Sequence, residues 1–87
     1  MEHYWCGGTV NKKKGRYGVY YECNKCHTTI SKVFMNNEFQ EGEIVFLFEG
    51  DTVSGEFTSR KGKTFKAGVE LVNRTGEKKQ SLTFLEN

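Results

Sequence analysis

The residues best suited to chemistry are three cysteines and two histidines in a chain of 87. Cys23-Asn24-Lys25-Cys26 is a CxxC pair, and His3-Tyr4-Trp5-Cys6 repeats its spacing with an imidazole in the first place. Thiolate and imidazole are the donors that structural zinc prefers, and such a site needs four of them in a tetrahedron. The two pairs flank a stretch that reads as a β-hairpin, which would bring them together in space. Gly7 directly follows Cys6, where the backbone must turn sharply so that amides can face the sulfur. The spacing therefore predicts a Cys3His site of His3, Cys6, Cys23 and Cys26. With all four positions filled it leaves none open for a water, so the metal would be structural rather than catalytic. His27 competes with His3 as fourth ligand, but it adjoins Cys26, and sharing one tetrahedron would strain the chain. The blander readings are that the cysteines are small buried hydrophobes, or that the CxxC is redox-active. The second lacks the surrounding βαβ pattern.

A second constellation combines cations with rings. Lys12 to Arg16 carries four positive charges and Arg60 to Lys66 another four, neither with an acid, whereas Val33 to Ser59 holds six acids and no Lys or Arg. Basic grooves with aromatic platforms suit single-stranded nucleic acid, because every base has a π face to stack. The candidates are Arg16, Tyr17 and Tyr20 on one segment and Arg60, Lys61, Lys63 and Lys66 on the other. Alternation puts Tyr17, Val19 and Tyr21 on one face and Tyr20 on the opposite one. Phe65 shares a face with Val69 and Leu71, which assigns it to the core. No Ser-His-Asp order is present. Gly62-Lys63-Thr64 resembles the end of a phosphate loop, but Phe57 stands where the first glycine belongs. These features point away from an enzyme and from a small-molecule substrate.

Positioning these residues requires a small sheet. Thr9 to Asn11 and Tyr17 to Glu22 read as two strands joined by a charged turn at Lys12 to Gly15, and Thr28 to Phe34 as a third strand, broken by Asn36-Asn37. Phe39, Glu43, Phe46 and Leu47 suit one helical face; a short helix is expected near Glu41 to Phe48, with Gly50 capping it. Val53 to Ser59, Thr64 to Val72 and Ser81 to Leu85 read as strands. In Thr64 to Val72 the residues Phe65, Ala67, Val69 and Leu71 alternate with polar or small ones. Lys61-Gly62-Lys63 is a basic turn, and Asn73 to Lys79 a loop. The expected class is α+β, a small zinc-ribbon-like antiparallel β-sheet domain with one short helix.

The length fits one domain with a thin core, for which a metal staple is a common remedy. Net charge is +2 and mean hydropathy −0.67. The longest apolar run, Ile44 to Phe48, falls far short of the ~20 residues that span a bilayer. No signal-peptide pattern opens the sequence. A cytoplasmic location with reduced thiols is the expectation, and it makes the Asn73-Arg74-Thr75 sequon a chance match.

Several of these stretches together resemble the C-terminal repeat of type IA DNA topoisomerases. They are His3-Tyr4-Trp5-Cys6-Gly7-Gly8, Lys14-Gly15-Arg16-Tyr17-Gly18, Cys23-x-x-Cys26, Thr29-Ile30-Ser31-Lys32, Leu47-Phe48-Glu49-Gly50 and, most specifically, the run from Gly55 to Ala67. His3 stands where the family has Cys and Tyr4 where it has Pro, a departure that preserves a ligand. The resemblance implies a single repeat-like domain over 1–87, with zinc-ribbon-like hairpins in 1–33, a short helix in 38–50 and strands in 52–86. It also implies a non-enzymatic module that binds single-stranded DNA; the basic and aromatic pattern read above widens the expected partner to single-stranded DNA or RNA. The alternative is a small phage or mobile-element protein that grips a host protein, such as a defence or nucleic-acid-processing complex, through its acidic segment Glu38 to Asp51 or a sheet edge.

Overall fold

The computed structural model describes residues 1–73, 76 and 78–85. Its elements run β1 Val10–Gly15, β2 Gly18–Cys23, β3 Thr29–Ser31, β4 Val33–Phe34, β5 Asn37–Glu38, α1 Glu41–Phe48, β6 Val53–Thr58, β7 Thr64–Asn73 and β8 Gln80–Phe84. They form a three-stranded sheet β1-β2-β3, a short hairpin β4-β5 and a second three-stranded sheet β6-β7-β8. All strand pairs are antiparallel. This is a small α+β domain of mostly strands with one short helix. Among the described residues no helix is long and apolar enough to cross a membrane.

The first hairpin is longer than its sequence suggests. Lys12, Lys13 and Lys14 are not a turn but the middle of β1, facing Tyr21, Tyr20 and Val19 across the ladder. Lysine is a poor strand former, yet pairing to a β-branched and aromatic partner strand overrides that weak preference. A Lys13–Glu22 ion pair at 2.6 Å adds a diagonal cross-strand contact. The turn falls instead on Arg16 and Tyr17, so Tyr17 leaves the face of Val19 and Tyr21 altogether. The expected third strand is also divided. Ser31 ends β3, and Val33 begins the separate hairpin, whose turn uses positive φ at Met35 and Asn36.

The helix has the expected bounds, Glu41–Phe48, although the wider 38–50 window also takes in Glu38 of β5. Gln40 and Glu43 close a capping box at its start. At its end Gly50, with φ of +92°, lets the amides of Gly50 and Asp51 reach the carbonyls of Leu47 and Phe46 at 3.1 and 2.9 Å. That is a Schellman closure. The buried side of α1 is Ile44, Leu47 and Phe48; Phe46, expected on the inner face, is exposed.

The period-two pattern of β7 puts Val69 and Leu71 in the core, with Phe65 and Ala67 packed at its margin. Residues 74, 75 and 77 of the expected loop, and 86 of the expected final strand region, lie outside the described residues. Phe57 is fully buried and meets Phe34, Phe39, Phe65 and Phe84, with centroids 5.2 to 6.3 Å apart. Three of these pairs are edge-to-face, the arrangement the ring quadrupole favours. Phe57→Ala is expected to destabilise the domain by about 3–5 kcal/mol, a large share of a small domain's total. Urea unfolding followed by far-UV circular dichroism would read this; an unchanged midpoint would contradict the assigned core.

Candidate functional site

His3 and Cys6 lie in the turn that precedes β1, and Cys23 and Cys26 span the turn from β2 to β3. The ladder brings them together because Val10, next after the first turn, pairs with Cys23. One potential ligand atom from each of the four residues lies within 4.8 Å of all the others. His3 Nδ1 is 3.5 Å from Cys6 Sγ and 3.3 Å from Cys26 Sγ, and Cys6 Sγ is 3.2 Å from Cys23 Sγ. A tetrahedron with zinc bond lengths has edges of about 3.6 Å between N and S and about 3.8 Å between sulfurs. The cluster is thus slightly tighter than a filled site, the three thiols are free of disulfides, and the group can hold a metal ion.

The two turns are built alike. The amide of Gly7 reaches the carbonyl of His3 at 2.8 Å, and the amide of His27 reaches that of Cys23 at 3.0 Å. Gly7 takes φ of +71° and His27 φ of +63°. Each therefore follows the second ligand of its pair in a left-handed conformation. The two histidines are thereby separated in geometry. His27 is the turn residue, its ring exposed and 3.7 Å from a Glu22 carboxylate oxygen, while His3 is fully buried with Nδ1 aimed at the sulfurs. Gly8 meets a further demand: a Cβ there would sit 2.6 Å from Cys23 Sγ.

The polar surroundings favour thiolate at one sulfur. Burial pushes the Cys23 thiol up, but the amides of Cys26 and Lys25, together with Cys6, outweigh it and bring it from 9.0 down to about 6. Cys6 moves the other way, raised by burial and by its contact with Cys23 despite an opposing amide from Gly8. Holding one negative charge and resisting the next is what a cluster of close thiols does without a cation among them.

Three residues absent from the sequence-based site complete its outer layer. Gln80 Oε1 accepts from His3 Nε2 at 2.6 Å, Gln80 Nε2 donates to Tyr4 Oη at 3.0 Å, and Thr28 Oγ1 lies 3.1 Å from Cys26 Sγ. Gln80 is 77 residues from His3 in sequence, so no local pattern announces it.

The predicted nucleic-acid residues divide into two groups. Arg16, Tyr17 and Tyr20 line one groove of about 470 Å³ with Thr29, Ser31, Lys32 and Glu38, between the first hairpin and β4-β5. Tyr17 is 97% exposed. Lys32, which sequence reasoning did not single out, contributes a cation held 3.5 Å from Glu38. Arg60, Lys61, Lys63 and Lys66 are exposed on the β6-β7 hairpin and do not line this groove. Comparison with family models, curated proteins and solved structures finds no match to this chain.

Cys23→Ser removes the buried thiol whose pKa is brought down to about 6. It is expected to abolish stoichiometric metal retention and lower the melting temperature, because metal binding and folding are coupled; a retained metal and an unchanged melt would contradict the site. Metal binding also releases thiol protons, so affinity must fall as pH falls. It should fall more steeply below about 6, where Cys23 too must lose a proton. Competition titrations with a chelator across that range would show the change in slope, and a pH-independent affinity would exclude thiolate ligands.

Proposed function

We propose that this chain is a zinc-stapled, non-enzymatic module that binds single-stranded nucleic acid at the tip of its first hairpin. The observation carrying this reading is Tyr17, 97% exposed beside Arg16 at the mouth of the groove that also holds Tyr20. Water solvates a phenol ring poorly, so an uncovered Tyr beside a cation suits a base that can stack on it while the cation meets the neighbouring phosphate. Tyr20 stands on the same face as Lys13 and Ser31, its ladder neighbours. The groove therefore offers a second ring with cations and hydroxyls around it. Zinc suits the other end of the molecule: three thiols and one imidazole are its usual structural set, and bound there it would supply a fixed charge and a covalent-strength clamp, with no reaction. The Arg60, Lys61, Lys63 and Lys66 hairpin would extend the positive field along the bound strand rather than read bases. The resemblance to the topoisomerase repeat agrees in kind with this reading.

Fluorescence anisotropy with labelled oligo-dT and oligo-U tests it. Tyr17→Ala should weaken binding by about 5- to 150-fold, the equivalent of ~1–3 kcal/mol of lost stacking. Wild-type affinity should fall with salt, log K changing by about −0.7 per neutralised phosphate in log salt. A wild-type protein that ignores both oligomers at low ionic strength would overturn the proposal. A flat salt response with a protein partner retained through purification would favour the host-protein alternative.

A further inference from the structure

Gln80 opens β8 and is 4% exposed. Both ends of its side chain and its own amide are engaged at the metal centre. Oε1 accepts from His3 Nε2 at 2.6 Å, Nε2 donates to Tyr4 Oη at 3.0 Å, and the backbone N–H donates to Thr28 Oγ1 at 2.9 Å. Thr28 Oγ1 in turn lies 3.1 Å from Cys26 Sγ. The same residue thus reaches one ligand directly and a second through one hydroxyl.

We infer that Gln80 is the positioning residue of the metal centre, fixing His3 in the tautomer that bears its proton on Nε2 and so presenting the Nδ1 lone pair to the metal. This rests on the metal-binding reading proposed above. Neutral imidazole has one donor and one acceptor nitrogen, and the partner of one decides the role of the other. His3 is fully buried, so water cannot take over from the amide oxygen. With His3 Nδ1 turned to the sulfurs, the ring proton lies on Nε2 and calls for the amide oxygen there, which leaves the amide nitrogen to donate to Tyr4 Oη. Were the amide reversed, its N–H would face Nε2, the proton would move to Nδ1, and the histidine could not be a ligand.

The choice of an uncharged acceptor also has a reason. Three thiolates around a divalent cation leave a net charge of −1, and a carboxylate in Gln80's place would add a second negative charge in a buried setting. A carboxamide gives orientation without that penalty. Its position in the last strand has a structural consequence as well. Gln80 pairs with Asn73 of β7 in the ladder, so the second sheet is attached to the centre through the histidine, not only through apolar packing.

The test uses the full chain and zinc as the probe. Gln80→Leu keeps most of the volume and removes the acceptor, whereas Gln80→Glu keeps an acceptor for Nε2–H. Competition titration should show Gln80→Leu binding zinc about 10–100-fold more weakly, as loss of an outer hydrogen-bond partner does. Gln80→Glu should recover part of that affinity, held below the wild type by the added buried charge. Long-range 15N–1H NMR of the zinc-loaded wild type should show His3 coordinated through Nδ1 with its proton on Nε2. Coordination through Nε2 would overturn the inference whatever the variants do, including the case in which Gln80→Leu fails to fold. Unchanged affinity in Gln80→Leu alongside a zinc-binding wild type would overturn the role of Gln80 alone. A wild type that takes no zinc would overturn this inference and the metal reading together.

Discussion

The cluster of three sulfurs and one imidazole nitrogen is the constraint around which the rest of the chain is arranged. It joins the turn before β1 to the turn after β2, and through Gln80 it takes hold of β8 at the far end of the sequence. The two larger sheets share no ladder. What connects them is the helix, the β4-β5 hairpin, the apolar core and this polar knot. A domain of this size buries too little apolar surface for packing alone to give a wide margin over chain entropy. A clamp tying residue 3 to residue 80 removes conformational freedom that a small core would struggle to overcome. The helix reports to the same place, since the carbonyl of Phe48 accepts from the amide of Tyr4 at 2.9 Å and the Phe48 ring stands edge-on to His3.

The clamp lies at one end of the first hairpin and the exposed ring at the other. Five residue steps separate Cys23 from Gly18, and at about 3.3–3.4 Å per residue the tip stands roughly 17 Å from the sulfurs. Order at the base therefore carries to a tip that has no core of its own. The separation also keeps apart two kinds of charge: that of the sulfur cluster, where Cys23 is held toward thiolate, and that of the Lys and Arg side chains of β1 and the turn. Were they adjacent, each would weaken the other's field.

Much of the site was legible because its signals are local. Two ligand pairs with the same spacing on either side of a strand pattern need only the hairpin to meet, and Gly7 marks a turn by its own chemistry. The helix bounds followed from the apolar run and Gly50, but its inner face was misjudged at Phe46, which is exposed. Other features were hidden for physical reasons. Lys12 to Lys14 read as a turn by composition but are held in β1 by their partners on β2. That shift of the turn carried Tyr17 from an expected face to full exposure. His27 looked like a ligand by type, yet occupies the left-handed position that Gly7 occupies in the other pair. Gln80 has no local signature, because its role depends on a contact made only after both sheets have closed.

X-ray absorption at the zinc edge on protein purified without added chelator tests the central claim most directly. One metal per chain with three sulfurs at about 2.3 Å and one nitrogen at about 2.0–2.1 Å is the expected shell. A shell dominated by oxygen, or a preparation with no metal and a Cys6–Cys23 disulfide, would contradict it.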